Sequence, residues 1–430
     1  MLAAVAASAS FAADIYVSLS TGANKNAGTR EAPLKNIWKA VEAAQPGDVI
    51  HVAEGNYPGK MKCGWIQLDK PVSLVCGYAP DFSSRDPLAH RTMLQPTNDQ
   101  NEKKGSAMAL LLINFNNKPF TGFKMAIDGL ILDDGFASSY HETKGKPEGF
   151  DTGMWLEGPA FNKERDKFPS ANRYSLFAQL GYGTEGELVV RNCAFVNGSN
   201  FGANVNWFKG KVTMENNVFC NNRMVGANVQ SSNGKAGEVE WEFANNTVLF
   251  TWSRLNDLAD MGFGVRSNTG VTASIHDNVI GLNVLTGFDN TKGDPKSKKT
   301  SLDGNVFFLN RGSDVQITIS PNIAKVRVDD FEDLEGVDGI ESIEDNESLG
   351  DPSAFAGRID ARYLDAFLSM KYSEETKLDE GACNALRGVL GLPLQGTITT
   401  TCDMYANRYP LDAALKLFGA IDGKGAQAVK

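Results

Sequence analysis

The side chains best suited to chemistry lie in a short motif that recurs. GANVNW, from Gly202, and GANVQS, from Gly226, repeat after 24 residues. Successive side chains of a strand point to opposite faces, so core-facing Val205 and Val229 leave Asn204, Asn206, Asn228 and Gln230 outside. Extending that register to GFGVRS at Gly262, then to Gly287-Phe288-Asp289 and Asp314-Val315-Gln316, adds Arg266, Asp289, Asp314 and Gln316 to the outer face. The same register predicts one inward column of Val205, Val229 and Val265. Amides and carboxylates at strand spacing offer donors and acceptors along an extended polar ligand. An ordinary solvated sheet face is the competing reading.

Two reactions on a sugar chain set different demands. Removing the proton beside a uronate carboxylate needs a cation against that carboxylate and a base for the proton. Arg266 and Asp289 are the candidate catalytic groups, and Asp289 and Asp314 the candidate calcium ligands. A plain Arg266–Asp289 surface pair explains the same residues without catalysis. Glycoside hydrolysis needs converging carboxylates instead, for which Asp257, Asp260 and Asp289 are candidates. His51, His90 and His276 fall on a cap strand, in a loop and at a turn, with no arrangement suited to nucleophilic catalysis.

The elements that must carry these residues repeat. RNCAF, ENNVF, ANNTV, HDNVI and DGNVF start at Arg191, Glu215, Ala244, His276 and Asp303; their second positions, Asn192, Asn216, Asn245, Asp277 and Gly304, are 24, 29, 32 and 27 residues apart. Each unit holds two or three short apolar stretches separated by Asn and Gly, and none can bury its own apolar face. Stacking coil on coil does so, which predicts a solenoid of parallel strands with right-handed crossovers. Asn at the turn tolerates a left-handed backbone and can bond to the Asn of the next coil, so Asn216 and Asn245 are expected to be buried in an amide ladder. The register also sets Cys193 and Cys220 three residues apart along the strands, too far for a disulfide.

A solenoid needs capped ends. Residues 13–60 predict one: strand Asp14 to Ser18, helix Pro33 to Gln45 with Leu34, Ile37, Trp38 and Val41 on one face, and strand Val49 to Val52. This opening, DIYVSLSTGANKNAGTREAPLKNIWKAVEAAQPGDVIHVAEGNY, resembles that of secreted right-handed parallel β-helix proteins of the pectate-lyase-like superfamily, which includes polysaccharide lyases and related surface proteins. The likeness covers the opening well and the repeats through Gln316 in pattern only. It implies an all-β fold, a right-handed parallel β-helix, whose polar strand face serves as a saccharide groove with a polysaccharide or cell-surface glycan as partner. An enzyme, lyase-like first and hydrolase second, and a non-catalytic adhesin or envelope protein both remain open.

The rest of the chain fits around this body. The β-helix is expected over 61–328, with a loop insertion at 136–175 whose Trp155 and basic residues could wall one side of the groove. Residues 329–351 form an acidic run that lacks the spacing of a calcium loop and reads as a solvated edge. Residues 352–430 leave the repeat and look helical around Ala361 to Lys371 and Leu411 to Ala420, as a C-terminal cap or small appended domain. Met1 to Ala12 read as a signal peptide, which implies a secreted, periplasmic or cell-surface protein of a bacterium. Cys63 with Cys76 and Cys383 with Cys402 are close enough in sequence to pair. A net charge of −10 argues against nucleic acid as partner, and no later run is long enough to span a membrane.

Overall fold

The computed structural model describes residues 12–60, 64–96, 109–135, 174–252, 261–319, 321–368, 370–371, 378–394, 400–401 and 408–429. Three long sheets run the length of the body, one of ten strands and two of nine. A typical coil crosses them in turn: Glu185–Arg191 in sheet I, Ala194–Val196 in sheet II and Ala203–Trp207 in sheet III. Strands of successive coils pair in parallel, except Asn322–Val326, which folds back antiparallel on Ser313–Ile319 at the end of sheet III. With crossovers of the usual hand, the architecture is a right-handed parallel β-helix.

Its core follows from stacking. In sheet I, Leu188 and Val190 pair with Val212 and Met214, and these with Trp241 and Phe243, all buried. Sheet II does not alternate: AFV, VFC, TVL and VFF are buried at every position. Strands covered on both faces read as continuous apolar runs. The outer cover is the C-terminal region, whose Phe355, Tyr363, Phe367 and Leu417 pack on Val196, Cys220, Phe250 and Phe308. These described residues from 352 onward therefore lie along the flank of sheet II. Tyr409 seals the contact, its N–H donating to Asn197 Oδ1 at 2.8 Å and its carbonyl accepting from Asn197 Nδ2 at 3.1 Å.

The turn between sheets I and II holds the Asn ladder one residue later than the sequence suggests. Asn192, Asn216, Asn245 and Asp277 take positive φ near 55° and lie at the surface of the turn, so Asn216 and Asn245 are only half-buried. The residue after each points inward. Asn217, Asn246, Asn278 and Asn305 are fully buried, each Nδ2 donating to the Oδ1 of the next coil's amide, through to Asn346, at 2.9–3.1 Å. Cys193 occupies the ladder position in its coil and its N–H donates to Asn217 Oδ1. Cys220 pairs with Val196, as the register requires, and both thiols are free. Cys76 and Cys383 are also free buried thiols; Cys63 and Cys402, near enough in sequence to pair with them, lie outside the described residues.

Both ends are closed. The helix Ile37–Ala43, shorter than expected, sets Ile37, Ala40 and Val41 over the first coils. At the other end the acidic run is structural: a turn of 3-10 helix at Val328–Leu334 inserts Phe331 and Leu334 into the core, and Ile340–Glu344 adds the last strand of sheet I. Its charges face outward while two apolar residues do the capping.

Candidate functional site

The outer face of sheet III carries two polar rows. Asn204 pairs with Asn228, Asn228 with Arg266, Arg266 with Asp289 and Asp289 with Gln316. Asn206 pairs with Gln230 in a separate row two residues further along. The expected register therefore slips by two at the third coil. Val265 still faces the core but stacks on Ala227, while Ser267 stacks on Val229. GFGVRS contains two glycines, and the second, Gly264, is the one that continues Gly202 and Gly226. A Cβ at Gly202 would meet the carbonyl oxygen of Gly226 at 2.6 Å, and one at Gly226 that of Gly264 at 2.5 Å. Only glycine admits this approach; Gly262, aligned by sequence, donates its N–H to the Met224 carbonyl at 2.8 Å.

The first row is a buried network rather than an open surface. Asp289 is 0% exposed and its carboxylate accepts from Arg266 Nε, from Gln316 Nε2 at 2.9 Å, and from the Thr291 N–H and hydroxyl at 3.1 and 2.7 Å. The Arg266 guanidinium also lies 4.0 Å above the Phe263 ring. Beside the pair, Lys298 donates to the carbonyls of Asn290 and Lys292; burial lowers its pKa to about 8, against the opposing pull of Asp289. Asn228 Nδ2 donates to Asn204 Oδ1 at 2.8 Å. Tyr174, whose pKa is raised by burial, hydrogen-bonds Asn204 and stacks on Phe177.

These partners bear on the candidate calcium site. Asp289 Oδ1 accepts three of these donors and Oδ2 the Arg266 Nε, while Asp314 lies on the neighbouring strand, two residues before the Gln316 that pairs with Asp289. The Asp314 carboxyl accepts from Asn310 Nδ2 at 2.9 Å and the Val328 N–H at 3.1 Å, with burial raising its pKa. Among the described residues no three His, Cys, Asp or Glu side chains converge as metal ligands. Asp289 and Asp314 thus serve separate protein contacts, and the donor set does not suit calcium.

The second row opens into a groove of about 890 Å³. Asn206 and Gln230 form its floor with Gln179, which pairs with Asn206, and with Asn114 on the coil before. Ser231, Ser232, Asn233 and Thr269 form one wall, and Asn116 and Asn117 extend the floor toward the N-terminal end. The wall is fixed by its own bonds: Ser231 Oγ donates to Asn233 Oδ1 at 2.6 Å, and Ser232 Oγ to the Leu180 carbonyl at 3.0 Å. Asn206 Oδ1 is buried with no hydrogen-bond partner. None of the described lining residues is ionisable. Tyr182, 89% exposed, follows lining Gly181 and packs edge-on against Phe208.

The structure thus separates the residues singled out by sequence. Asn206 and Gln230 reach the groove; Asn204, Asn228, Arg266, Asp289 and Gln316 form a covered network on the outer face of sheet III; Asp314 stands apart. Trp155, Asp257 and Asp260 lie outside the described residues. Sequence reasoning missed Asn114, Asn116, Asn117 and Gln179. The available signal was NFNN directly after the apolar run Ala109–Ile113, with Asn116 and Asn117 both at positive φ, in a coil before the repeats that align well.

Comparison with known proteins bears chiefly on the opening segment. Residues 20–77 match a family model described as a protein of unknown function, DUF1565. No curated protein matches the chain in sequence. Among solved structures the chain is similar to XylC in complex with xylose, at 11% identity and a TM-score of 0.31, over 71% of this chain. It spans 64% of the length of that XylC chain. It is also similar to pectate lyase Pel9A, at 13% identity and TM-score 0.29 over 78% of this chain and 80% of that one, and to a rhamnogalacturonan lyase, at 11% and 0.29 over 85% and 94%.

Proposed function

We propose that the chain binds an extended, uncharged polysaccharide along the groove of sheet III and holds it without cleaving it. The observation that carries this reading is the described lining: amides and hydroxyls from successive coils, with no ionisable side chain among the described residues. Coils repeat every 4.8 Å or so, and the five that contribute Asn114, Gln179, Asn206, Gln230 and Thr269 span roughly 19 Å. Such a row meets sugar hydroxyls with alternating donors and acceptors and needs no counter-charge.

Lyase chemistry would require a cation and a base beside the ligand. Arg266, the candidate for both roles, is committed to Asp289 within the covered network. Binding without turnover favours an attachment protein, an adhesin or envelope component, over an enzyme. The small apolar run Met1 to Ala12 supports export as part of the same proposal.

The test is calorimetric titration with neutral xylo-, cello- and manno-oligosaccharides. Gln230→Ala is expected to weaken binding about five- to tenfold, the worth of one or two hydrogen bonds, and Gln316→Ala, in the buried row, to leave it unchanged. Equal effects of the two substitutions would remove the groove as the binding surface.

A further inference from the structure

A second cavity continues the groove at its N-terminal end. It encloses about 160 Å³, room for one pyranose ring, and is lined by Trp38, Trp65, Glu42, Lys60, Asp69 and Gln67 among others. Asn116 borders both this cavity and the groove. Gln67 ties the two floors together, its Nε2 donating to the Asn114 carbonyl at 3.0 Å and to Asn116 Oδ1 at 3.2 Å.

The chain contains six tryptophans, of which Trp155 lies outside the described residues. Trp207, Trp241 and Trp252 are fully buried in packed clusters. Trp38 and Trp65 alone among the described five are half-buried, and both line the same small cavity. Leaving two indoles partly in water forgoes the burial that the other three obtain. Their positions are held firmly: Trp38 projects from the capping helix beside buried Ile37 and Val41, and Trp65 follows Gly64, paired with Lys60 through the Lys60 N–H to Trp65 carbonyl bond at 2.7 Å. The Trp65 indole N–H is buried without a hydrogen-bond partner, and the Lys60 ammonium stands 5.8 Å from the Trp38 ring centre. The apolar face of a sugar ring stacks on an indole while its hydroxyls reach polar neighbours, here Glu42, Asp69 and Gln67.

From this we infer that Trp38 and Trp65 form an aromatic end subsite that takes the terminal ring of a neutral oligosaccharide whose remaining rings lie on the amide floor. The inference rests on the groove reading above and adds to it a fixed end and a dependence on ligand length. Short ligands fit on the amides alone, whereas longer ones reach the indoles.

The experiment compares a trisaccharide and a hexasaccharide of whichever neutral series the wild-type protein binds best, by calorimetry. Trp38→Leu and Trp65→Leu are expected to weaken hexasaccharide binding about tenfold and to leave trisaccharide binding unchanged, with Trp38→Phe restoring most of the loss. Gln230→Ala should weaken both ligands. Thermal unfolding checks that the Leu variants fold. On the wild-type protein, acrylamide quenching of indole fluorescence should fall when hexasaccharide binds and stay constant with trisaccharide. Hexasaccharide affinity and quenching both unaffected by the indoles would overturn the subsite while leaving the groove intact. Wild-type protein that binds no neutral oligosaccharide of any length would overturn the groove reading and the subsite with it.

Discussion

Arg266→Met is expected to destabilise the protein by about 3–5 kcal/mol while leaving the affinity for neutral glycans intact. Asp289 is fully buried, and among the described residues the guanidinium is its close cationic partner, with a more distant pull from Lys298. Removing one member of a buried pair leaves the other charge without compensation, a larger loss than the pair's own net contribution. Adding Asp289→Asn to the variant removes the charge and should recover much of the loss. Denaturant unfolding of the single and double variants at pH 7 measures this. A deficit under about 1 kcal/mol at pH 7 would return Arg266 to the role of an open surface group, free to meet a carboxylate ligand.

Asn246→Leu should cost about 2–4 kcal/mol. Leucine conserves volume, so the loss is chiefly polar. Asn246 Oδ1 accepts both the N–H and the Nδ2 of Asn217, each at 2.9 Å, and its own Nδ2 donates to the Met214 carbonyl and to Asn278 Oδ1. All of these atoms are away from water, and several would be left without partners at once. Asn216→Leu, one turn position earlier, removes an amide bonded to Asn192 Oδ1 and the Gln427 N–H at a half-exposed site, where water can replace it. Its expected cost is under half that of Asn246→Leu. Thermal or urea unfolding of the two variants side by side decides which residue of the pair carries the ladder.

Much of the fold was legible because stacking repeats one constraint in every coil. The Asn pairs, the short apolar strands and the offset between Cys193 and Cys220 all follow from a period that the chain keeps. Periodicity alone does not say which Asn of a pair turns inward. That depends on the first taking positive φ, which carries its side chain out of the turn. The slip at GFGVRS has a similar origin: two glycines compete, and the close approach of coil backbones selects Gly264. Most of the candidate site was unreadable for a different reason. Outward-facing strand residues look alike in sequence whether water or another part of the chain covers them, and only the structure separates the buried Asn204–Gln316 row from the open Asn206–Gln230 row. The acidic run hid Phe331 and Leu334, two apolar residues whose capping role is set by where the coil ends.

The most direct test of the neutral groove is titration of the wild-type protein with neutral and uronate oligosaccharides at low and high salt, with absorbance followed for unsaturated product. The proposed groove, whose described lining has no ionisable side chain, predicts that a neutral series binds, that its affinity is the same in about 0.05 and 0.5 M salt, where the Debye length falls severalfold, and that no absorbance develops. Preferential, salt-sensitive binding of the uronate series, or growth of unsaturated product, would contradict it.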